Sequence, residues 1–163
     1  MGLDGFQTDL VALLPRLRRF ARSLTRDAAD ADDLVQVAVE RGLARRGQWR
    51  RDTRLDSWMF TLMKNAWIDD RRAFNRRAAS TRPAEEGERV ADSASADPLV
   101  RTAVERALDA LPSDQRLAVA LVLVEGLSYA EASRVLEIPE GTLTSRLVRG
   151  RLALMSELQG LGA

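Results

Sequence analysis

Apolar residues recur along this chain at the three- and four-residue spacing of amphipathic helices. Leu10, Leu14, Leu17, Ala21 and Leu24 form the first such series. Pro15 stands inside it, so it either opens a new helix at its first turn or kinks a continuous one. A second pattern starts near Asp27 or Asp30, both suitable N-caps, and runs to about Arg46 with Leu34, Ala38 and Leu43 directed inward. A third follows Thr53, with Asp56 three residues on in the manner of a capping box. It carries Leu55, Trp58, Met59, Leu62, Met63 and Ala66, then Asp69, Asp70 and a basic end.

The periodicity stops at residues 78–98, AASTRPAEEGERVADSASADP, where Val90 is the one large apolar side chain. Such a segment cannot bury enough surface to fold alone and is expected to be a flexible linker. As a coil, its residues would span roughly 25 Å. Helical spacing resumes over 99–110 and is stopped by Leu111–Pro112–Ser113. Ser113 or Asp114 is placed to cap the next helix, Gln115–Glu125, which carries Leu117, Leu121 and Leu123 and ends at Gly126. Ser128 and Glu131 form an S-x-x-E capping box for a helix through Leu136. Ile138–Pro139–Glu140–Gly141 makes a turn, and a last helix runs from Thr142 to about Leu158 with Leu143, Leu147, Leu154 and Leu158 on one face. Two short helices around a glycine-containing turn have the layout of a helix-turn-helix. Strand-forming runs bounded by turn residues are absent. The expected fold is all-α: two small helical domains, 1–77 and 99–163, joined by the flexible linker at 78–98.

Charge sharpens this division. The net formal charge is +1, but it is distributed as +5 over residues 1–77, −3 over 78–98 and −1 over 99–163. A basic half is thus tethered to a nearly neutral one through an acidic segment. Within the last helix, Arg146, Arg149 and Arg151 face a single acid, Glu157. A helix that reads the major groove projects short polar and long basic side chains from its first turns. Thr142, Thr144, Ser145, Arg146, Arg149 and Arg151 are the candidates, although the same residues also suit a solvated amphipathic helix. Cys and His are absent. That removes disulfides, Cys/His zinc sites and the usual neutral-pH general base, and no nucleophile–base pair, metal cluster or phosphate loop is visible. The expectation is therefore a non-enzyme without a cofactor or metal. No stretch approaches the roughly 20 apolar residues of a membrane helix, and the N-terminus has no secretory layout, so a cytoplasmic protein is the simplest reading.

The run from Leu111 to Leu154 resembles region 4 of the extracytoplasmic-function (ECF) sigma factors, small initiation subunits of bacterial RNA polymerase. It carries their Leu-Pro-x-x-x-Arg start (Leu111–Arg116), Gly-Leu-Ser-Tyr-x-Glu middle (Gly126–Glu131) and Gly-Thr-x-x-Ser-Arg recognition helix (Gly141–Arg146). Residues 30–44, DADDLVQVAVERGLA, resemble the family's polymerase-binding helix, and 55–72, LDSWMFTLMKNAWIDDRR, its promoter-melting and −10-reading segment. The resemblance implies that Asp30, Asp33, Leu34 and Gln36 dock on the clamp of the polymerase largest subunit. It implies that Asn65 begins a loop capturing an unstacked base, with Trp67, Arg71, Arg72, Arg76 and Arg77 beside it. It further implies that the last helix reads the −35 element while its domain meets the polymerase flap, and that an anti-sigma factor regulates the protein. Val37, Leu43, Thr144 and Gly150 depart from commoner family residues; Gly150 in place of alanine predicts a recognition helix loosened by about 1 kcal/mol. Two other readings are a sigma-like decoy that sequesters an anti-sigma factor and a dimeric helix-turn-helix repressor. The arginines beyond Asp70 argue against the first, and the region 2-like half argues against the second.

Overall fold

The computed structural model describes residues 4–80 and 101–161, so most of the expected linker, including Arg82, Arg89 and Val90, lies outside the described residues. Within them are seven α-helices: α1 (Gly5–Leu24), α2 (Ala28–Ala44), α3 (Leu55–Ser80), α4 (Ala103–Asp109), α5 (Ser113–Val119), α6 (Tyr129–Leu136) and α7 (Glu140–Leu161). A short 3₁₀ turn, Arg46–Gln48, follows α2, and a π-helical turn, Ala120–Val124, extends α5.

Helix α1 runs unbroken through Pro15, so the proline neither starts a second helix nor divides the first. Asp27 is the cap of α2, accepting the backbone N–H of Asp30 at 2.7 Å. The buried face of α2 is Ala31, Leu34, Val35, Ala38 and Gly42. Leu43, expected inside, is 39 % exposed, because the periodicity from Ala38 falls on Gly42 instead. Gly42 lies against α3 so closely that a Cβ there would stand 2.9 Å from Met59 Sδ. Thr53 does not cap α3; its hydroxyl donates back to Arg50 O at 2.6 Å. Asp56 turns inward rather than completing a capping box, and is 5 % exposed.

In the second half a full capping box between Thr102 and Glu105 opens α4. Pro112, rather than Ser113 or Asp114, is the N-cap of α5, and no side chain closes it. The π turn carries the bond from Glu125 N–H to Ala120 O, 2.9 Å, before Gly126 leaves the helix at φ +75°. Ser128 caps α6 through the Glu131 N–H at 3.1 Å, but the Glu131 side chain reaches away to Arg54. Glu137 ends α6 in the left-handed region, with Ile138 N–H bonded to Ser133 O at 3.1 Å in a Schellman-type closure.

The core crosses the chain's midpoint. One contiguous buried cluster includes Phe20, Phe60 and Met63 from the first half and Leu121, Val135 and Leu143 from the second. Phe20 and Phe60 meet edge to face with centroids 5.0 Å apart. Trp58 belongs here as expected, half-buried and edge-on to Phe6 at 6.2 Å. A smaller cluster of Leu108, Leu111 and Val119 is covered by Leu154 of α7. Helix α7 passes α5 at Gly150, where a Cβ would lie 2.7 Å from Val119 Cγ2. The expected loosening is thereby corrected: the glycine permits the close crossing that seats the helix.

Candidate nucleic-acid and partner interfaces

Helix α7 is the second helix of the helix-turn-helix, and α6 with the Glu137–Pro139 corner sets its angle. Leu143 and Leu147 are buried, which forces residues 144, 145, 148, 149 and 151 onto the open side. The Thr144 hydroxyl donates to Glu140 O at 2.9 Å and that of Ser145 to Gly141 O at 3.2 Å, leaving both oxygens free to accept. Arg149 and Arg151 are exposed. Thr142 is half-buried, and Arg146 is held back, with Nε 3.6 Å from Asp114 Oδ2. The four open candidates and the two partly covered ones therefore differ in reach; for Arg146 the restraint comes from Asp114 of α5, which the α7 sequence does not reveal.

Helix α3 is continuous from Leu55 to Ser80, so Asn65 begins no loop and instead sits half-buried on a helix. Trp67 is 5 % exposed, and the Arg71 guanidinium lies over its ring, 4.7 Å from the centroid. Arg72, Arg76 and Arg77 extend along the exposed end of the helix. The basic cluster is thus a single helical surface with a buried aromatic at its inner edge. Lys64, beside Asn65, is 4 % exposed, and burial pushes its ammonium below the usual lysine range, partly offset by Glu137.

On α2, Asp30, Asp33 and Gln36 are exposed, while Leu34 points into the core at 8 % exposure and supports the surface from beneath. Partial burial, followed by the neighbouring carboxylates Asp27, Asp33 and Asp70, pushes Asp30 above the ordinary carboxylate range. Gln36 also borders a groove of about 510 Å³ between α1 and α2, with Leu14, Val35 and Val39 as its apolar lining and Arg18 and Arg22 along one side. The two arginines of α1 escaped the sequence reading, since nothing in their own helix marks them as neighbours of α2.

Also unforeseen is a network of ion pairs that joins the halves. Arg19 binds both carboxylate oxygens of Glu125, at 2.8 and 2.9 Å. Arg16 joins Asp56 at 2.8 Å and Glu125 at 3.7 Å, and Arg54 joins Asp56 at 2.7 Å and Glu131 at 3.0 Å.

Comparison with known proteins agrees with this geometry. The family description "Sigma2 domain of PhyR" matches residues 10–64, and "Sigma-70, region 4" matches residues 101–154. The ECF RNA polymerase sigma factor EcfG of Rhodopseudomonas palustris is 34 % identical over 160 residues, covering 98 % of this chain and 88 % of its own. This chain belongs to the ECF sigma factors. The sigma factor SigM of Mycobacterium tuberculosis is 38 % identical over 139 residues, covering 85 % of this chain and 69 % of SigM. Among solved structures, the sigma factor RpoE of Bartonella quintana, in complex with the anti-sigma factor NepR, superposes with a TM-score of 0.80 at 28 % identity, over 96 % of this chain and 98 % of RpoE. The region 4 match covers α4 to α6 and α7 as far as Leu154. Among the described residues, no helix of this sigma factor is long and apolar enough to cross a membrane.

Proposed function

We propose that this sigma factor directs core RNA polymerase to a two-part promoter through three surfaces. Asp30, Asp33 and Gln36 on α2, backed by Leu34, meet the clamp of the largest subunit. Asn65 and the Arg71–Arg77 surface of α3 engage the −10 element, with Trp67 holding Arg71 in place. Thr144, Ser145, Arg149 and Arg151 on α7 read the −35 element, with Thr142 and Arg146 nearer the helix-turn-helix corner, while the rest of its module meets the flap. The modules are 1–77 and 99–163, joined through 78–98, and the protein works without catalytic chemistry in the bacterial cytoplasm. An anti-sigma factor is its natural regulator, a reading supported by the similarity to the NepR-bound sigma factor.

The observation that carries this proposal is the open face of α7. Two hydroxyl acceptors and an exposed arginine stand on the outer side of a helix whose inner face is locked by Leu143 and Leu147. A bidentate arginine–base contact is worth about 1–3 kcal/mol, so Arg149→Ala is expected to lower promoter-specific initiation about tenfold. The test measures initiation by purified core polymerase on promoters differing only in the −35 element. Retained discrimination by the variant overturns the assignment of α7. Asp33→Arg should weaken core binding with an unchanged helical circular-dichroism signal. The decoy reading is decided by the same assay: a decoy would support no initiation on any promoter.

A further inference from the structure

Asp114 sits in the first turn of α5 without capping it. Its carboxylate has two separate engagements. Oδ1 accepts the Gln115 N–H at 2.9 Å, while Oδ2 stands 3.6 Å from Arg146 Nε. The pairing follows from Gly150. With no Cβ at that position, α7 crosses α5 so closely that Val119 and the Gln115 carbonyl lie against it. Arg146 is one helical turn earlier on the same edge of α7, which brings it beside the residue that precedes Gln115. Among the described residues, Arg146 is the one arginine of α7 with a carboxylate partner; Arg149 and Arg151 are exposed and form no ion pair.

The edge matters because the sides of a groove-reading helix have different tasks. Side chains on its open side reach base edges, whereas those on its flanks meet the phosphate strands, which carry no sequence information. Thr144, Ser145 and Arg149 are on the open side, and Leu143 and Leu147 form the buried one. Arg146 lies on the flank between them, where α5 passes. Its side chain keeps 29 % exposure, so a guanidinium there is within reach of a phosphate once it swings outward. The Asp114 carboxylate opposes that swing. A part-exposed pair of this kind is weak, so it biases the arginine without locking it.

We propose that Asp114 is a positioning residue that restrains Arg146 from the DNA phosphates, and so sets how much sequence-independent affinity α7 brings to a promoter. The inference rests on the reading of α7 as the −35 helix and deepens it. A phosphate contact adds affinity evenly to every sequence. An unrestrained Arg146 would therefore strengthen binding to weak −35 elements as much as to good ones. With the restraint in place, the choice stays with Thr144, Ser145 and Arg149. Asp114 touches no base itself; it acts through the arginine it holds.

Asp114→Asn tests this, because the amide keeps an oxygen for the Gln115 N–H and removes the charge. Helical circular dichroism and the urea midpoint verify the fold, and Asp114→Ser serves as a second neutral variant with the same expectation. Dissociation constants of the holoenzyme, assembled with purified core polymerase, are measured on promoter duplexes that differ only in the −35 element. The series is repeated over a range of sodium chloride concentrations. Asp114→Asn should tighten binding about threefold, evenly across the elements, and steepen the logarithmic salt dependence by about 1. In an Arg146→Ala background the same substitution should change neither affinity nor slope, which a merely structural role for Asp114 would not produce. In the free protein, the Nε–H resonance of Arg146, assigned by its loss in Arg146→Ala, should shift and exchange faster with water in Asp114→Asn. Unchanged affinity and slope, looser binding, or an effect undiminished by Arg146→Ala overturns the restraint. A parent holoenzyme that binds all the −35 variants alike rejects the reading of α7 instead, while the Arg146 resonance still decides whether Asp114 holds that side chain.

Discussion

Position 150 shows how much one methyl group decides. A Cβ on this residue would sit 2.7 Å from Val119 Cγ2 and 3.2 Å from Gln115 O, the latter a backbone atom that cannot rotate away. Alanine has the better helix propensity, but here overpacking dominates. Gly150→Ala is expected to destabilise the protein by about 1–3 kcal/mol, read as a lowered midpoint in urea unfolding. Asp56 is decided by competition of another kind. Burial raises its pKa, but hydrogen bonds from Arg16, Arg54 and the Ser57 N–H outweigh burial and hold the carboxyl below its usual range. A carboxyl depressed in the folded state stabilises the fold above its unfolded pKa, and that contribution is lost as pH falls through the folded value. Asp56→Asn should therefore flatten the acid side of the stability–pH curve, measured by denaturant titrations between about pH 6 and pH 2.

At the scale of elements, half a capping box proves more informative than a whole one. Ser128 caps α6 while Glu131, its expected reciprocal partner, is taken by Arg54 of α3. Ser128→Ala should cost about 1 kcal/mol of stability through the lost cap, whereas Glu131→Gln should leave α6 intact and act on the contact with α3. Unfolding midpoints of the two single variants, with helical circular dichroism, check the difference. The continuity of α3 carries a similar lesson. Its helical pattern extends through Asn65 to Ser80, so a base captured at Asn65 must be met by a helical side chain rather than by a loop. Asn65→Ala should preserve helicity and diminish promoter opening, followed by permanganate reactivity of unpaired thymines.

At the scale of the molecule, the weak net charge and the divided charge distribution have one consequence. The halves attract each other, and neither is a strong polyelectrolyte partner for DNA. Cleavage at Arg82 or Arg89 should yield two helical pieces that remain together on gel filtration, because one apolar core spans both. Separation into an unfolded and a folded piece would show that the shared core is obligatory for one of them.

The helix-turn-helix, the Ser128 cap, a cap at Asp27 or Asp30 and the family were legible in the chain, because each is written within a turn or two of its own residues. Spacing places Leu143 and Leu147 inside, and once they are inside, Ser145 and Arg149 must be outside. What the tertiary structure alone decided is nonlocal. Leu43 and Gly42 exchange roles because Met59 lies across the gap; Arg146 is restrained and Arg149 is open because Asp114 stands beside only one of them. Arg19 and Glu125 are 106 residues apart, and nothing around either one specifies the other. Local sequence sets which face of a helix is apolar, but the choice of neighbour depends on packing volume and charge summed over the whole chain. That sum packs the two halves around one core and buries Lys64 within reach of Glu137.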